Sequence, residues 1–446
     1  MKINRIFAAI VAASLSATVC AETANPAAPE DNALGKAAAS LHATAARLDS
    51  IAAAPQASGR QATHYDMENG VLPIADNRGF SLQSADGRFI LKPYLMLQTT
   101  LTYNYYADEG LDKAYNQDNI ANSGFAIPFG IIGFTGKAFG KIDYNICVNA
   151  AATGGAILQQ AWIDYAVSPA LRFRAGKQKT PFAGAFLTTL GETLFPMMPT
   201  SLTSAVILPH SLNAVTPPIN TGWDLGFKMH GLIANKWGYE LGLFNGTGGT
   251  VNTATKTISD DNHLPSLLYA ARLTFQGNGP MPMSQGNPNL TQLGTKYVIG
   301  LSANYNNEAE YESTNDFRAG VDFALLSGRW SVAAEAYYMN MGFTKRQKID
   351  ESYNYMGAYA QLGYFVGRDW QLGLRYDWMD RNGNHKDGSL NSPAVVCNYF
   401  VPKTNIKVSA MYQYIGRWGH DTQLDRDLDD LGIATHTACV MLQYAF

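Results

Sequence analysis

Trp370-Gln371-Leu372-Gly373-Leu374-Arg375-Tyr376-Asp377-Trp378 alternates in polarity at every step. Successive side chains of an extended strand point to opposite faces. Trp370, Leu372, Leu374, Tyr376 and Trp378 therefore share one face, and Gln371, Arg375 and Asp377 the other. A strand with one apolar face and one charged face separates two unlike media. The same period extends in both directions along the chain. Ile406, Val408, Ala410, Tyr412 and Tyr414 oppose Lys407, Ser409 and Gln413. Leu171, Phe173 and Ala175 oppose Arg172 and Arg174, and Trp223, Leu225, Phe227 and Met229 oppose Asp224, Lys228 and His230.

Marking every such run predicts sixteen strands, at about 88–106, 124–137, 141–153, 157–167, 170–178, 222–231, 236–245, 266–276, 296–306, 314–327, 329–341, 353–366, 368–379, 392–401, 404–417 and 432–446. Their connections alternate in length. Ala138-Phe139-Gly140, Ser168-Pro169, Gly328, Gly367 and Pro402-Lys403 are tight turns, whereas 107–122, 179–221, 246–265, 342–352, 380–391 and 418–431 are long. Two links break the rule: Gly154-Gly155 is short, and 277–295 is long and rich in Pro and Gly. An even number of two-faced strands with short turns on one rim and long loops on the other describes a transmembrane β-barrel. In hydrocarbon every backbone polar group must be paired, and a sheet achieves that only by closing on itself. The fold expected is thus all-β: a 16-stranded antiparallel transmembrane barrel.

Composition agrees. Charged residues make up 15% of the 446, against roughly 25% in ordinary soluble domains. The 24 Tyr, 20 Phe and 7 Trp exclude a disordered chain and supply the aromatic girdles of a barrel. A mean hydropathy of −0.13 and the lack of a long apolar run beyond the N-terminus exclude a helical membrane protein. A formal charge of −3 gives no reason to expect nucleic acid.

The N-terminus reads as an export signal. Lys2 and Arg5 precede the apolar run 6–15, and Val19-Cys20-Ala21 ends the segment in small residues. The domain plan is then a signal peptide at 1–21, an Ala/Pro-rich periplasmic segment at 22–78 with a short helix spaced by Leu34, Leu41 and Leu48, and the barrel at 79–446. The final strand ends on Tyr444 and Phe446, which share its apolar face. This resembles the C-terminal signal that the outer-membrane barrel assembly machinery recognises, and it places the chain in a Gram-negative outer membrane, among its lipids. Cys147, Cys397 and Cys439 give no disulfide framework, and the eight His show no metal-ligand spacing. No Ser-His-carboxylate set gathers at one rim, so no catalytic residue, metal or cofactor is expected and the chain is read as a non-enzyme.

Sixteen strands enclose an aqueous lumen. Passive diffusion is the function such a pore performs by default, with lining charge and constriction setting selectivity. The connection 179–221, third of the external loops, carries Phe182, Phe186, Phe195, Met197, Met198 and Leu202. A loop this apolar is expected to fold inward and narrow the pore, with Phe182, Phe186, Glu192, Phe195 and His210 at the constriction. An apolar constriction would favour small solutes or a partly closed pore.

Gly79-Phe80-Ser81-Leu82-Gln83-Ser84-Ala85-Asp86-Gly87-Arg88-Phe89, Gly176-Lys177-Gln178-Lys179-Thr180-Pro181-Phe182, Glu192-Thr193-Leu194-Phe195 and Asp224-Leu225-Gly226 resemble motifs of the phosphate-selective porin O and P family. The resemblance implies a homotrimer of sixteen-stranded channels, with small anions passing lumenal arginines and a lysine-bearing constriction. This chain departs from that pattern. From 183 to 221 it has no Lys or Arg, only Glu192 and His210. The basic lining expected is Arg172, Arg174, Lys177, Lys179, Lys228, Arg318, Arg375 and Lys407, offset by inward carboxylates such as Asp143, Asp164, Asp224 and Asp377. A mild anion preference follows, without phosphate selectivity. The alternative function is a structural barrel that tethers the membrane to the cell wall through 22–78.

Overall fold

A computed structural model of the chain describes residues 71–76, 79–107, 119–152, 157–203, 222–246, 267–307, 313–343, 353–380, 383, 389–417 and 434–446. The export signal, the helix expected near Leu34–Leu48 and His210 lie outside the described residues.

The strands are β1 (Val71–Asp76), β2 (Gly79–Ser84), β3 (Ile90–Ala107), β4 (Asn119–Ala138), β5 (Ile142–Asn149), β6 (Leu158–Ser168), β7 (Leu171–Lys179), β8 (Trp223–Ile233) and β9 (Trp237–Phe244). They continue with β10 (Leu268–Gly277), β11 (Lys296–Asn307), β12 (Ser313–Ser327), β13 (Trp330–Phe343), β14 (Tyr353–Val366), β15 (Trp370–Asp380), β16 (Ser389–Phe400), β17 (Ile406–Arg417) and β18 (Ala434–Ala445). From β3 to β18 each strand pairs with its sequence neighbours. The ring closes where β18 pairs antiparallel with β3, from Ala434↔Ala107 to Ala445↔Met96. A closed ring leaves no unpaired sheet edge to hydrocarbon.

The faces follow the alternation. Along β15, Leu374 is 58% exposed while Gln371, Arg375 and Asp377 are 3% or less. At the short-turn rim, outward rings pair across strands: Trp330 with Tyr364 at 4.4 Å between centroids, Trp370 with Tyr399 at 4.6 Å, and Trp237 with Phe275 at 4.9 Å. Aromatic rings with one apolar and one polar side suit the level where acyl chains meet headgroups. The turns at this rim are tight because residues such as Gly367, with φ 83°, adopt the left-handed conformation.

Two strands precede the barrel. β1 and β2 form a hairpin from Val71↔Ser84 to Asp76↔Gly79, joined to β3 only at Leu82↔Leu91 and Gln83↔Ile90. The sequence reading ended the Ala/Pro-rich segment at 78, but sheet pairing begins at Val71. The segment VLPIAD is too short, and interrupted by Pro73, for alternation to single it out. Phe446 exchanges backbone hydrogen bonds with Leu95, its N–H donating at 3.0 Å and its carbonyl accepting at 3.1 Å. Its ring lies against Gly79, where an added Cβ would stand 3.0 Å from the ring edge.

Candidate functional site

The connection after β7 turns into the barrel and is held there by lumenal side chains. Its described part, 180–203, has three short helical turns, Gly184–Leu187, Leu190–Glu192 and Thr200–Leu202. Most of its backbone carbonyls and amides lack helical partners, and the barrel wall supplies them. Lys179 donates to the carbonyls of Phe186 (2.5 Å) and Thr188 (3.0 Å). Glu335 accepts from the Ala185 amide at 2.5 Å and from the hydroxyls of Tyr337 (2.6 Å) and Tyr359 (3.0 Å). Gln443 donates to the Gly191 carbonyl (2.8 Å), Lys407 to Thr193 (3.0 Å), Asn398 to Leu194 (2.9 Å) and Arg375 to Met197 (2.8 Å). Asp377 accepts from the amides of Thr200 and Ser201, and the Tyr355 hydroxyl donates to the Ser201 carbonyl at 2.6 Å.

The aromatic side chains of this loop point away from the passage. Phe182 and Phe186 are fully buried with Tyr337, Met339, Tyr355, Tyr359 and Met379 of the wall. Leu194 and Phe195 pack on Ala394, Val396, Met411 and Cys439. Fully burying an aromatic or leucine side chain contributes roughly 1.5–3 kcal/mol each, so these contacts hold the loop to the wall. The expected constriction is therefore corrected for its aromatics: Phe182, Phe186 and Phe195 are buried against the wall, and Glu192 lines the cavity. The aromatics fasten the loop, and its open side presents Gly184, Leu187, Thr188, Thr189, Leu190 and Glu192.

A cavity of about 1160 Å³ lies beside this open side, and its lining reaches Lys92 and Met96 of β3, Arg172 and Arg174 of β7, Asp322 of β12, Glu335 of β13 and Lys407 of β17. Its basic cluster is organised by Asp164, which is fully buried on β6. Asp164 accepts from Arg172 Nε (3.0 Å), Arg174 Nη2 (2.7 Å) and His230 Nε2 (2.8 Å). Alternation explains the convergence, because Asp164 and Arg174 are directly paired across β6–β7, and Arg172 and His230 across β7–β8. Arg172 also pairs with Asp143, whose other oxygen holds Lys137 at 2.8 Å. The Arg174 guanidinium stacks 3.9 Å over the Trp162 ring. Both arginines remain about a fifth exposed and face the cavity. Lys228 pairs with Glu240 at 2.5 Å, and Arg272 with Asp322 at 2.6 Å.

The sequence-derived basic set thus divides. Arg172, Arg174, Lys179 and Lys228 line the cavity. Arg375 is 3% exposed, donates through Nη1 to the Met197 carbonyl and stands beneath the loop, off the cavity; Lys407 is equally buried and donates to Thr193, and it reaches the cavity lining. Arg318 and Lys177 are buried as well. Asp224, expected to face the arginines, accepts from the amides of Leu225 and Gly246. Glu192 is half-buried, and its carboxylate accepts from Asn287 at 3.2 Å. Sequence reasoning missed Glu240 and Arg272. Both sit at inward positions of β9 and β10, opposite exposed Leu241 and Leu273, so the alternation carried the signal.

A family model described as phosphate-selective porin O and P matches residues 97–446. Among solved structures, the anion-selective porin from Comamonas acidovorans aligns with a TM-score of 0.54 at 10% identity, covering 80% of this chain and 100% of that one. Salmonella typhi OmpF, in complex with daunomycin, aligns with a TM-score of 0.50 at 10% identity, covering 84% of this chain and 100% of that one. At such identities the likeness is one of fold. No curated protein matches the chain.

Proposed function

The chain belongs to the phosphate-selective porin O and P family, a porin of the outer membrane, and from that premise we propose a pore for small hydrophilic solutes with a mild anion preference. The observation that carries the preference is the charge around the cavity. Eight bases line it (Lys92, Arg172, Arg174, Lys179, Lys228, Arg272, Lys403 and Lys407) against five carboxylates (Glu192, Glu240, Asp322, Glu335 and Asp369). Asp143 and Asp164 stand behind the arginines and bring the carboxylates to seven. The bias is one charge, which attracts anions without building a phosphate-specific filter. The loop carries no base of its own, in keeping with weak selection.

The reading extends to assembly. The chain is exported by 1–21, matures at Glu22 and is inserted by the barrel assembly machinery through Tyr444 and Phe446. It works among outer-membrane lipids as a homotrimer and performs no catalysis. Reversal potentials in a chloride gradient across a planar bilayer test the function. Replacing Arg172 and Arg174 by Gln leaves six of those bases against seven carboxylates. The wild type is expected to favour anions, and the double variant to cross toward cations. A cation-selective wild type, or a double variant with unchanged selectivity, would overturn the assignment.

A further inference from the structure

The connection between β10 and β11, residues 278–295, breaks the pattern of its rim. The other turns there run from two to five residues, and this one has eighteen. Pro280, Pro282 and Pro288 deny it a strand ladder of its own. It rises into the lumen and meets the loop that descends from the opposite rim. The Thr189 amide donates to the Met283 carbonyl at 3.0 Å, and the amides of Gln285 and Gly286 donate to the Glu192 carbonyl at 2.8 and 2.9 Å. Asn287 donates to the Glu192 carboxylate at 3.2 Å. From the wall, Gln361 holds the Gln285 side chain at 2.7 Å and Gln371 holds its carbonyl at 3.0 Å. Position 286 is glycine because of this contact: a Cβ there would stand 2.8 Å from the Thr193 carbonyl oxygen.

Two segments from opposite rims thus share one hydrogen-bonded seam across the lumen. Behind it, Gln371, Asn398 and Arg375 are 3% exposed or less. In front of it lies the cavity along Arg172 and Arg174, with 281–289 contributing one of its walls. We propose that 278–295 is a second constricting element, which sets the size limit of the pore jointly with 180–203. In this reading Gln285, Gly286 and Asn287 determine specificity by position, with no charge of their own. The proposal rests on the porin reading above.

The test measures single-channel conductance and liposome swelling with neutral sugars of graded size. In one variant, 281–289 is replaced by Gly-Ser-Gly. In a second, Gly286→Val drives the link off the Thr193 carbonyl in a chain of full length. Heat-modifiable mobility on gels checks that each barrel is folded. The shortened variant is expected to conduct roughly twofold more and to admit larger sugars, because the widest obstruction on the short-turn side is gone. Gly286→Val is expected to raise conductance less and to add open-channel noise. Folded variants with wild-type conductance and the wild-type sugar limit would overturn the proposal while leaving the porin reading intact. A folded wild type that conducts nothing would remove the premise of both.

Discussion

Leu374→Arg tests the barrel through its lipid face. Leu374 lies on β15, 58% exposed, with Val395 of β16 and Leu362 of β14 as outward cross-strand neighbours. Four residues separate it from Trp370 in the aromatic girdle. At about 3.3 Å per residue and a tilt near 45°, that places it about 10 Å into an apolar band about 25 Å tall, close to its midplane. An arginine there is expected to cost ~2–4 kcal/mol. Leu372→Arg, one pleat repeat nearer the girdle, should cost less, and Trp370→Arg least. The control is Thr274→Arg, an inward position on β10 lining the cavity between Gly238 and Gly300, where a long side chain finds water and space. Gln371 makes a poor control although it also faces inward, because it is fully buried and holds both Asn398 and Gln285. Reversible folding into phospholipid vesicles, followed by tryptophan fluorescence across a denaturant series, gives the free energies. Equal destabilisation by Leu374→Arg and Thr274→Arg, or an inverted depth order along β15, would refute the face assignment and with it the membrane-spanning barrel.

Three further outcomes follow from the geometry. Phe446→Ala removes the ring seated on Gly79 and the terminal aromatic of β18; the folded fraction in outer membranes, read by heat-modifiable mobility, should fall severalfold, and normal yield would contradict the insertion-signal reading. Asp164→Asn takes away the carboxylate that Arg172, Arg174 and His230 share, so the anion preference measured by reversal potential should rise; a shift toward cations would show that the arginines do not act on permeating ions. Lys407→Met strips the Thr193 carbonyl of a donor, costing about 1–3 kcal/mol if it is left unpaired, and channel recordings should show added closures; a silent variant would mean that Gln443 and Asn398 hold the loop unaided.

Most of the barrel was legible because its physics is local. A strand between lipid and water must alternate, so Trp370 to Trp378 declares its own two faces with no knowledge of its neighbours. Turn residues at one rim then order the strands in space. Strand β1 escaped because Pro73 interrupts a run of six residues, too short for alternation to mark. It borders no bilayer span that the sequence could reveal, and its cue is pairing with β2.

The site was legible in its residue types and not in their employment. Inward alternation placed Arg172, Arg375 and Lys407 in the lumen alike, yet Arg375 does not reach the cavity. The difference is set by which backbone carbonyls come within reach, and carbonyls leave no mark in a sequence. The same blindness explains the loop aromatics. Phe182 and Phe195 are apolar whether they narrow a pore or glue a segment to its wall, and the wall residues Tyr337, Met339, Val396 and Met411 decide for glue. One clue was open to reading. Tyr337, Met339, Tyr355 and Met379 are apolar or aromatic at inward positions, where a water-filled lumen should carry polar groups. An apolar patch on the wet face of a strand requires something to cover it, and the apolar loop 180–203 was the segment available to do so. The link 278–295 left a matching sign, being the one long connection on a rim of short turns. Both signs therefore point to the loop 180–203, whose Phe182, Phe186 and Leu202 cover the patch and whose Thr189 and Glu192 meet the link.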